Sequence, residues 1–327
     1  MPTFGNVTLT TDQANLFQAA LDRHVRMRRS ETPQFDALYD VKPVNLNNPG
    51  DTITLLRETH LTPITSPTPL DEDADVTPRK LANPSPVSVT VNEYGESIMF
   101  SNAQRLFNVG DSGEPESEVA RQLALSQSRT MESLAQAPLD ANTNILREAG
   151  GTLAAGGVAA RNTITASDTI KSRDISRIVA RFRSSGDGRE PVAPRIGANY
   201  VGLVHPDVAV DLRDETGETS WNYAMAHLDL GAIRAGATGI YKGVVFIEHG
   251  LTKVYEDAGA ASADVYASYF LGAEALVKAE ASPMEYVDAP QVDALRRFWG
   301  LGWKVTRGYA IYDSNAIINL ETASGAV

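Results

Sequence analysis

Cysteine is absent from the 327-residue chain, which excludes disulfides, thiolate metal sites and a thiol nucleophile while remaining compatible with any redox compartment. Stability has to come from packing or from assembly. Cations are scarce too: 29 Lys and Arg stand against 41 Asp and Glu, a formal charge of -12. That sign repels phosphate backbones at long range and argues against a conventional DNA-binding domain. No window reaches the roughly 18 apolar residues that a membrane helix needs. The opening MPTFGNVTLTTDQ has neither a basic leader nor an apolar run, so a soluble protein without membrane contact or export address is expected.

What is present is a core. Hydrophobic residues make up 43% and charged residues 21%, enough to take roughly three quarters of the unfolded surface out of water in one large core or two modest ones. Gly and Pro are unevenly placed, and they divide the chain. Leu16, Phe17, Ala20, Leu21 and Val25 recur at helical spacing before a basic end of Arg23, Arg26, Arg28 and Arg29, predicting one helix in an N-terminal arm. Residues 51–61 and 87–91 read as strands, with Val87, Val89 and Val91 on one buried face. Between them lies a proline-rich stretch, 62–86, carrying the acidic run Asp71, Glu72, Asp73 and Asp75. Proline removes backbone donors, so this tip cannot be the middle of a sheet. A two-stranded ribbon is marginal alone in water, so the hairpin is expected to lie against another copy of the chain.

Asp111 and Glu114 have capping-box spacing and Pro115 suits a first turn. Val119, Leu123, Thr130, Leu134, Ala141 and Ile145 then predict a helix from about 114 to 148, kinked or divided at Pro138. Residues 150–157 read as a flexible glycine-rich connection. Ser172 is expected to cap a helix that buries Ile175, Ile178, Val179 and Phe182 and turns Arg173, Arg177, Arg181 and Arg183 outward. Residues 199–205 and 243–248 read as buried strands, 206–213 as a helix opened by proline, and 221–235 as another helix. Residues 265–271, 303–312 and 317–322 are extended. Strands and helices alternate irregularly, which gives an α+β class, and no internal repeat is found.

Motifs for chemistry fail on their own terms. Residues 110–113, Gly-Asp-Ser-Gly, imitate a serine-protease nucleophile turn around Ser112, but the upstream His24 and His60 lie in an arm and a hairpin, and helix capping explains the tetrapeptide. His24, His60, His205, His227 and His249 are scattered without a zinc-site spacing. The acidic run lacks the calcium-loop pattern. Gly150, Gly151, Gly156 and Gly157 lack the Lys and hydroxyl residue of a phosphate loop.

Residues 200–213, 239–248, 265–272, 302–304 and 321–324, taken in order, resemble the major capsid proteins of tailed bacteriophages, the coat fold of the Hong Kong 97 type, and most strongly the subgroup related to that of phage N-four. The sequence of elements before them agrees. The resemblance implies an N-terminal arm over 1–43, an extended loop over 44–110 and a spine helix with the first part of a peripheral domain over 111–195. It further implies an axial domain over 196–289 and a returning peripheral segment over 290–327. It implies hexamers and pentamers of this chain around double-stranded DNA in a virion shell built in the host bacterial cytoplasm. DNA would be met only by weak, non-specific contact. No catalytic residue, cofactor or metal is implied. The arm is too short for a fused scaffolding domain, so a separate scaffolding protein is expected, beside portal and decoration proteins. Lys80 is the loop lysine that a covalent crosslink between subunits would use. The alternatives are a decoration or tail-tube subunit, or a serine hydrolase using Ser112.

Overall fold

The computed structural model describes residues 33–43, 51–57, 72–73, 75, 78–81, 83–101, 115–155, 160–184, 190–215, 237–288, 295 and 297–325. In chain order they form β1 (Asp40–Pro43), β2 (Thr52–Arg57), β3 (Ser85–Thr90), β4 (Asn92–Ser101), α1 (Pro115–Asp140), β5 (Ile145–Ala149), β6 (Thr152–Ala155), α2 (Ser172–Arg183), β7 (Tyr200–Val204) and α3 (Pro206–Asp214). There follow β8 (Ala237–Tyr241), β9 (Val244–Glu248), β10 (Val254–Tyr255), β11 (Val265–Leu271), β12 (Leu276–Asp288), β13 (Phe298–Ile311) and β14 (Ile317–Thr322). The expected helices over 11–29 and 221–235, and Ser112, lie outside the described residues.

The chain divides into two compact units. Glu31–Gly95, Gln127–Glu285 and Lys304–Val327 make the larger. Its centre is a mixed sheet in the order β6-β5-β14-β11-β7-β9-β8, with β10 added on β11. The strands alternate in period two. Tyr200, Val204, Tyr266, Phe270, Ile318 and Leu320 pack against Ile175, Ile178, Phe182 and Val208 of α2 and α3. Val201, Leu203, Tyr269, Leu271 and Ile317 point the other way, onto Phe35, Leu38, Ala135 and Leu139. Both faces are covered, which is why these strands read as unbroken apolar runs. Gly202 fits because a Cβ there would sit 3.0 Å from Val244 and 3.1 Å from Phe270.

Four local expectations need correction. The long helix stops at Asp140, about 39 Å from its start at 1.5 Å per residue, and Ile145 lies in β5 instead. Pro138 has no N–H for Leu134, so the helix survives only a further two residues; in its last turn the Leu139 carbonyl accepts Asn142 N–H at 3.2 Å and Asn319 Nδ2 at 2.7 Å. The buried stripe of α1 is Leu123, Met131, Glu132, Ala135 and Leu139, while Thr130 and Leu134 are half-buried. Gly150 and Gly151 are a tight turn between the antiparallel β5 and β6, with φ of +59° and +75°, the positive pair that a two-residue hairpin loop requires. Ser172 follows the cap residue Lys171; Asp174 Oδ2 accepts Lys171 N–H at 3.1 Å, and Glu215 accepts Ser172 N–H at 2.9 Å.

The strand expectations hold closely, and α3 opens with Pro206 after His205, whose Nδ1 accepts Asp207 N–H at 3.3 Å. In the smaller unit, Ser126 Oγ donates to Glu96 at 2.5 Å. Gly302 there lies where a Cβ would meet the Glu96 carbonyl at 3.0 Å.

Candidate functional site

His205 and His249 sit in separate parts of the larger unit, at the start of α3 and after β9. His24, His60 and His227 fall outside the described residues, and no group of His, Asp or Glu suited to a metal is found among those described. What the sequence builds is a set of buried charge clamps.

The first clamp holds the segment from Gln34 to Asp40. Glu132, buried on α1, accepts the backbone N–H groups of Gln34, Phe35 and Asp36 at 3.0, 2.9 and 3.1 Å, while His249 Nε2 lies 3.2 Å from its Oε2. Burial alone would raise this carboxyl's pKa; the His249 contact and the three backbone donors outweigh it and hold the group below the usual carboxylate range. Next to it, Lys278 Nζ donates to Asp36 at 2.9 Å and Tyr309 Oη donates to the same carboxylate at 2.8 Å. Arg195 binds the Leu38 carbonyl at 2.5 Å and Asp40 at 3.1 Å. The chain then runs into β1, which pairs in parallel with β12 from Asp40 opposite Val277 to Pro43 opposite Glu280.

The second clamp holds the ribbon. β2 and β3 pair antiparallel from Thr52 opposite Thr90 to Arg57 opposite Ser85. Val89 is wholly buried with Val277 and Ala279, flanked by Ile53, Leu55, Val91, Ala310 and Tyr312. This qualifies the expectation that only another copy supplies the ribbon's dry face: β12 and β13 of the same chain cover one face at its root. The approach is close, since a Cβ on Gly308 would collide with the Thr90 carbonyl, and Arg57 closes it on Asp313 at 2.7 Å. The other face of the ribbon is bare: Leu56, whose carbonyl accepts Tyr312 Oη at 3.4 Å, has its side chain 62% exposed, and on the connecting stretch Leu81 is 79% exposed. Lys80 is exposed as well.

Two further clamps lock the sheet edge. Glu321 on β14 takes Arg147 Nε at 2.6 Å and Arg161 Nη2 at 2.6 Å, and Arg161 stacks 3.6 Å above the Tyr255 ring. Beside the glycine turn, the buried Glu148 and Asp174 share Arg173, at 2.9 and 3.3 Å. Glu148 Oε2 is buried with no hydrogen-bond partner. Burial, reinforced by the charge of Asp174, pushes the Glu148 pKa up, and burial does the same to Asp174 against the pull of Arg173. Asp168 goes the other way: burial opposes its charge, but the N–H and hydroxyl of Thr165 and the amides of the glycine turn bring its pKa down.

Sequence reading missed Glu132 because it sits on an apolar stripe that hides it. Glu132 lies between Met131 and Ala135 on the buried face of α1, and period-aware inspection of that stripe is the signal that finds it.

A family model described as phage capsid protein matches residues 85–320, most of the chain. Among solved structures, the capsid asymmetric unit of cyanophage Pam1 is similar at a TM-score of 0.65 and 16% identity, covering 99% of both chains. The capsid of Ralstonia phage GP4 is similar at 0.66 and 16% identity over 90% of this chain and 89% of that chain. The capsid of Helicobacter pylori bacteriophage KHP30 reaches 0.63 at 14% identity, over 98% and 100%. No curated protein sequence matches the chain. A double-faced sheet, a long helix and clamped projecting strands therefore belong together as a coat-protein fold of the Hong Kong 97 type, and the chain belongs to the phage capsid protein family, as a major capsid protein of an icosahedral shell.

Proposed function

We propose that this major capsid protein assembles as hexamers and pentamers into a closed shell around the double-stranded DNA of a tailed phage, within the subgroup related to phage N-four. The arm is residues 1–43, the extended loop 44–110, the spine helix and first peripheral part 111–195, the axial domain 196–289 and the returning peripheral segment 290–327. Assembly takes place in the host bacterial cytoplasm with a separate scaffolding protein, and a portal and decoration proteins complete the particle. The protein acts as a structural element and not as an enzyme.

The observation that carries this reading is the ribbon, which is covered on one face by its own chain and bare on the other. Copies that each cover a neighbour's exposed element gain many weak contacts that add through multivalency. An acidic body also suits a container, because strong attraction to DNA would impede filling. The test is electron microscopy of the full-length chain co-expressed with its phage's scaffolding protein. Closed icosahedral particles are expected; tubes of uniform bore, or a monomer under every condition, would reject the proposal.

A further inference from the structure

The outward face of α2 is a basic surface on an acidic protein. Arg177 and Arg183 are exposed and make no hydrogen bond or ion pair among the described residues. Six residues apart, their side chains leave the helix about 120° from each other, on the two flanks of a strip of small exposed residues, Ser176, Ala180 and Ser184. The β8–β9 turn runs along the Arg183 flank: Lys242 Nζ donates to the Ser172 carbonyl at 2.9 Å, and a Cβ on Gly243 would lie 3.5 Å from Arg183 Nη2. The carboxylates at the start of α2 are already committed. Glu148 and Asp174 are buried and share Arg173, and Glu215 accepts Ser172 N–H at 2.9 Å. The opposite face of the helix is packed into the core.

Resting on the shell reading above, we infer that this face of α2 lies on the inner wall of the shell and holds the phosphate backbone of the enclosed DNA. The planar fork of a guanidinium fits a phosphate, and the small strip lets a sugar–phosphate strand come close to the helix. Arg177 and Arg183 stand about 9 Å apart along the axis, so they meet different phosphates. The strip carries no long side chain that could read base edges, so the contact is independent of sequence. An acidic surface of a neighbouring copy is the rival occupant. It is disfavoured because none of the large exposed hydrophobic residues lies on α2: a contact between proteins is built around an apolar centre, whereas an interface with DNA is polar and positive. The remainder of the chain, acidic enough to leave -12 overall, repels DNA, so the patch sets which side of the subunit DNA meets. Two arginines per copy keep that attraction weak enough for filling.

Because the chain has no cysteine, a single A180C reports on the strip with both arginines in place. Empty shells and DNA-filled particles of the full chain carrying A180C are treated with a small maleimide, and separately with a maleimide on a polymer too large to pass through the shell. The small reagent is expected to label empty shells, and filled ones at least about tenfold more slowly; the large reagent is expected to label neither. Adding R177Q/R183Q should remove most of that slowing, and R177K/R183K should keep it. Circular dichroism melts matching the parent show that the variants fold. Equal labelling of filled and empty shells, slowing that R177Q/R183Q leaves unchanged, or labelling by the large reagent overturns the inference. So does a strip already blocked in empty shells, or a folded R177Q/R183Q chain that no longer assembles, either of which would assign the face to a contact between copies. Failure of the parent chain to form shells at all would instead strike the functional reading, and is seen before any label is added.

Discussion

The central sheet is built of strands buried on both faces and the ribbon of strands that alternate between half-buried and exposed residues, and they end in opposite conditions. All seven residues of β11 are buried, because helices cover one side and the Phe35–Tyr39 segment with α1 covers the other. In β2 and β3 only Val89 is fully buried. A sheet with two covered faces is complete within one chain; a ribbon with a single clamped root is a surface left for another molecule. Stability and assembly are thus assigned to different strands, and mutations should separate them.

The largest effect is expected in the sheet. Phe270→Ala removes a ring packed edge-on to Phe246 at 6.1 Å and should cost about 3–5 kcal/mol, read as a lower midpoint in urea unfolding, with no soluble particles. Next comes the Glu132 clamp. Glu132→Ala strands three backbone donors and should cost about 3 kcal/mol, with faster hydrogen exchange at Gln34, Phe35 and Asp36; an unchanged midpoint would show that water replaces the carboxylate without loss. Because the Glu132 pKa is lowered, its contribution is present above the unfolded value of about 4.3 and is lost as pH falls through the folded value.

Gly308→Val should act on the ribbon and spare the sheet. The side chain has to displace Thr90, for about 1–3 kcal/mol of overpacking, so amides of β3 lose protection while those of β7 and β11 keep theirs. Glu148→Gln has the opposite sign. With both pKa values of the Glu148 and Asp174 pair raised, the ionised pair disfavours the fold, and stability falls as pH rises through those values. The amide should therefore raise the melting temperature at pH 8 more than at pH 5, and an equal gain at both would remove the carboxylate from the explanation. Smallest of all, Leu81→Ser should change monomer stability by no more than about 0.5 kcal/mol while weakening shells.

The same division explains how much could be read from the sequence. β7, β9 and β11 are legible because a strand buried on both faces is a short apolar run rich in β-branched and aromatic residues; β14 is legible from Ile317, Ile318 and Leu320 despite its Asn319, Glu321 and Thr322. The α2 face is legible for the same reason in period 3.6, as Ile175, Ile178, Val179 and Phe182 all go inside. The end of α1 is harder: Leu134, Ala141 and Ile145 keep helical spacing, and only the missing N–H of Pro138 and the pairing of β5 with β14 end it. The glycine turn at 150–151 looked like a linker because its partner strand β6 is only four residues long. The clamps were illegible since Glu132 finds its partners 96 to 98 residues away in sequence, a pairing fixed by tertiary packing alone. Family resemblance supplied the fold and the shell; it did not supply these contacts.

Hydrogen exchange measured on dissociated subunits and on assembled shells tests the division most directly. Amides of β7, β11 and β14 should be equally protected in both states, while those of Thr52–Arg57 and Ser85–Thr90 should slow by at least about tenfold on assembly, a gain of roughly 1.4 kcal/mol in opening free energy. Equal exchange of the ribbon in the two states would contradict its role as the surface one copy completes for another.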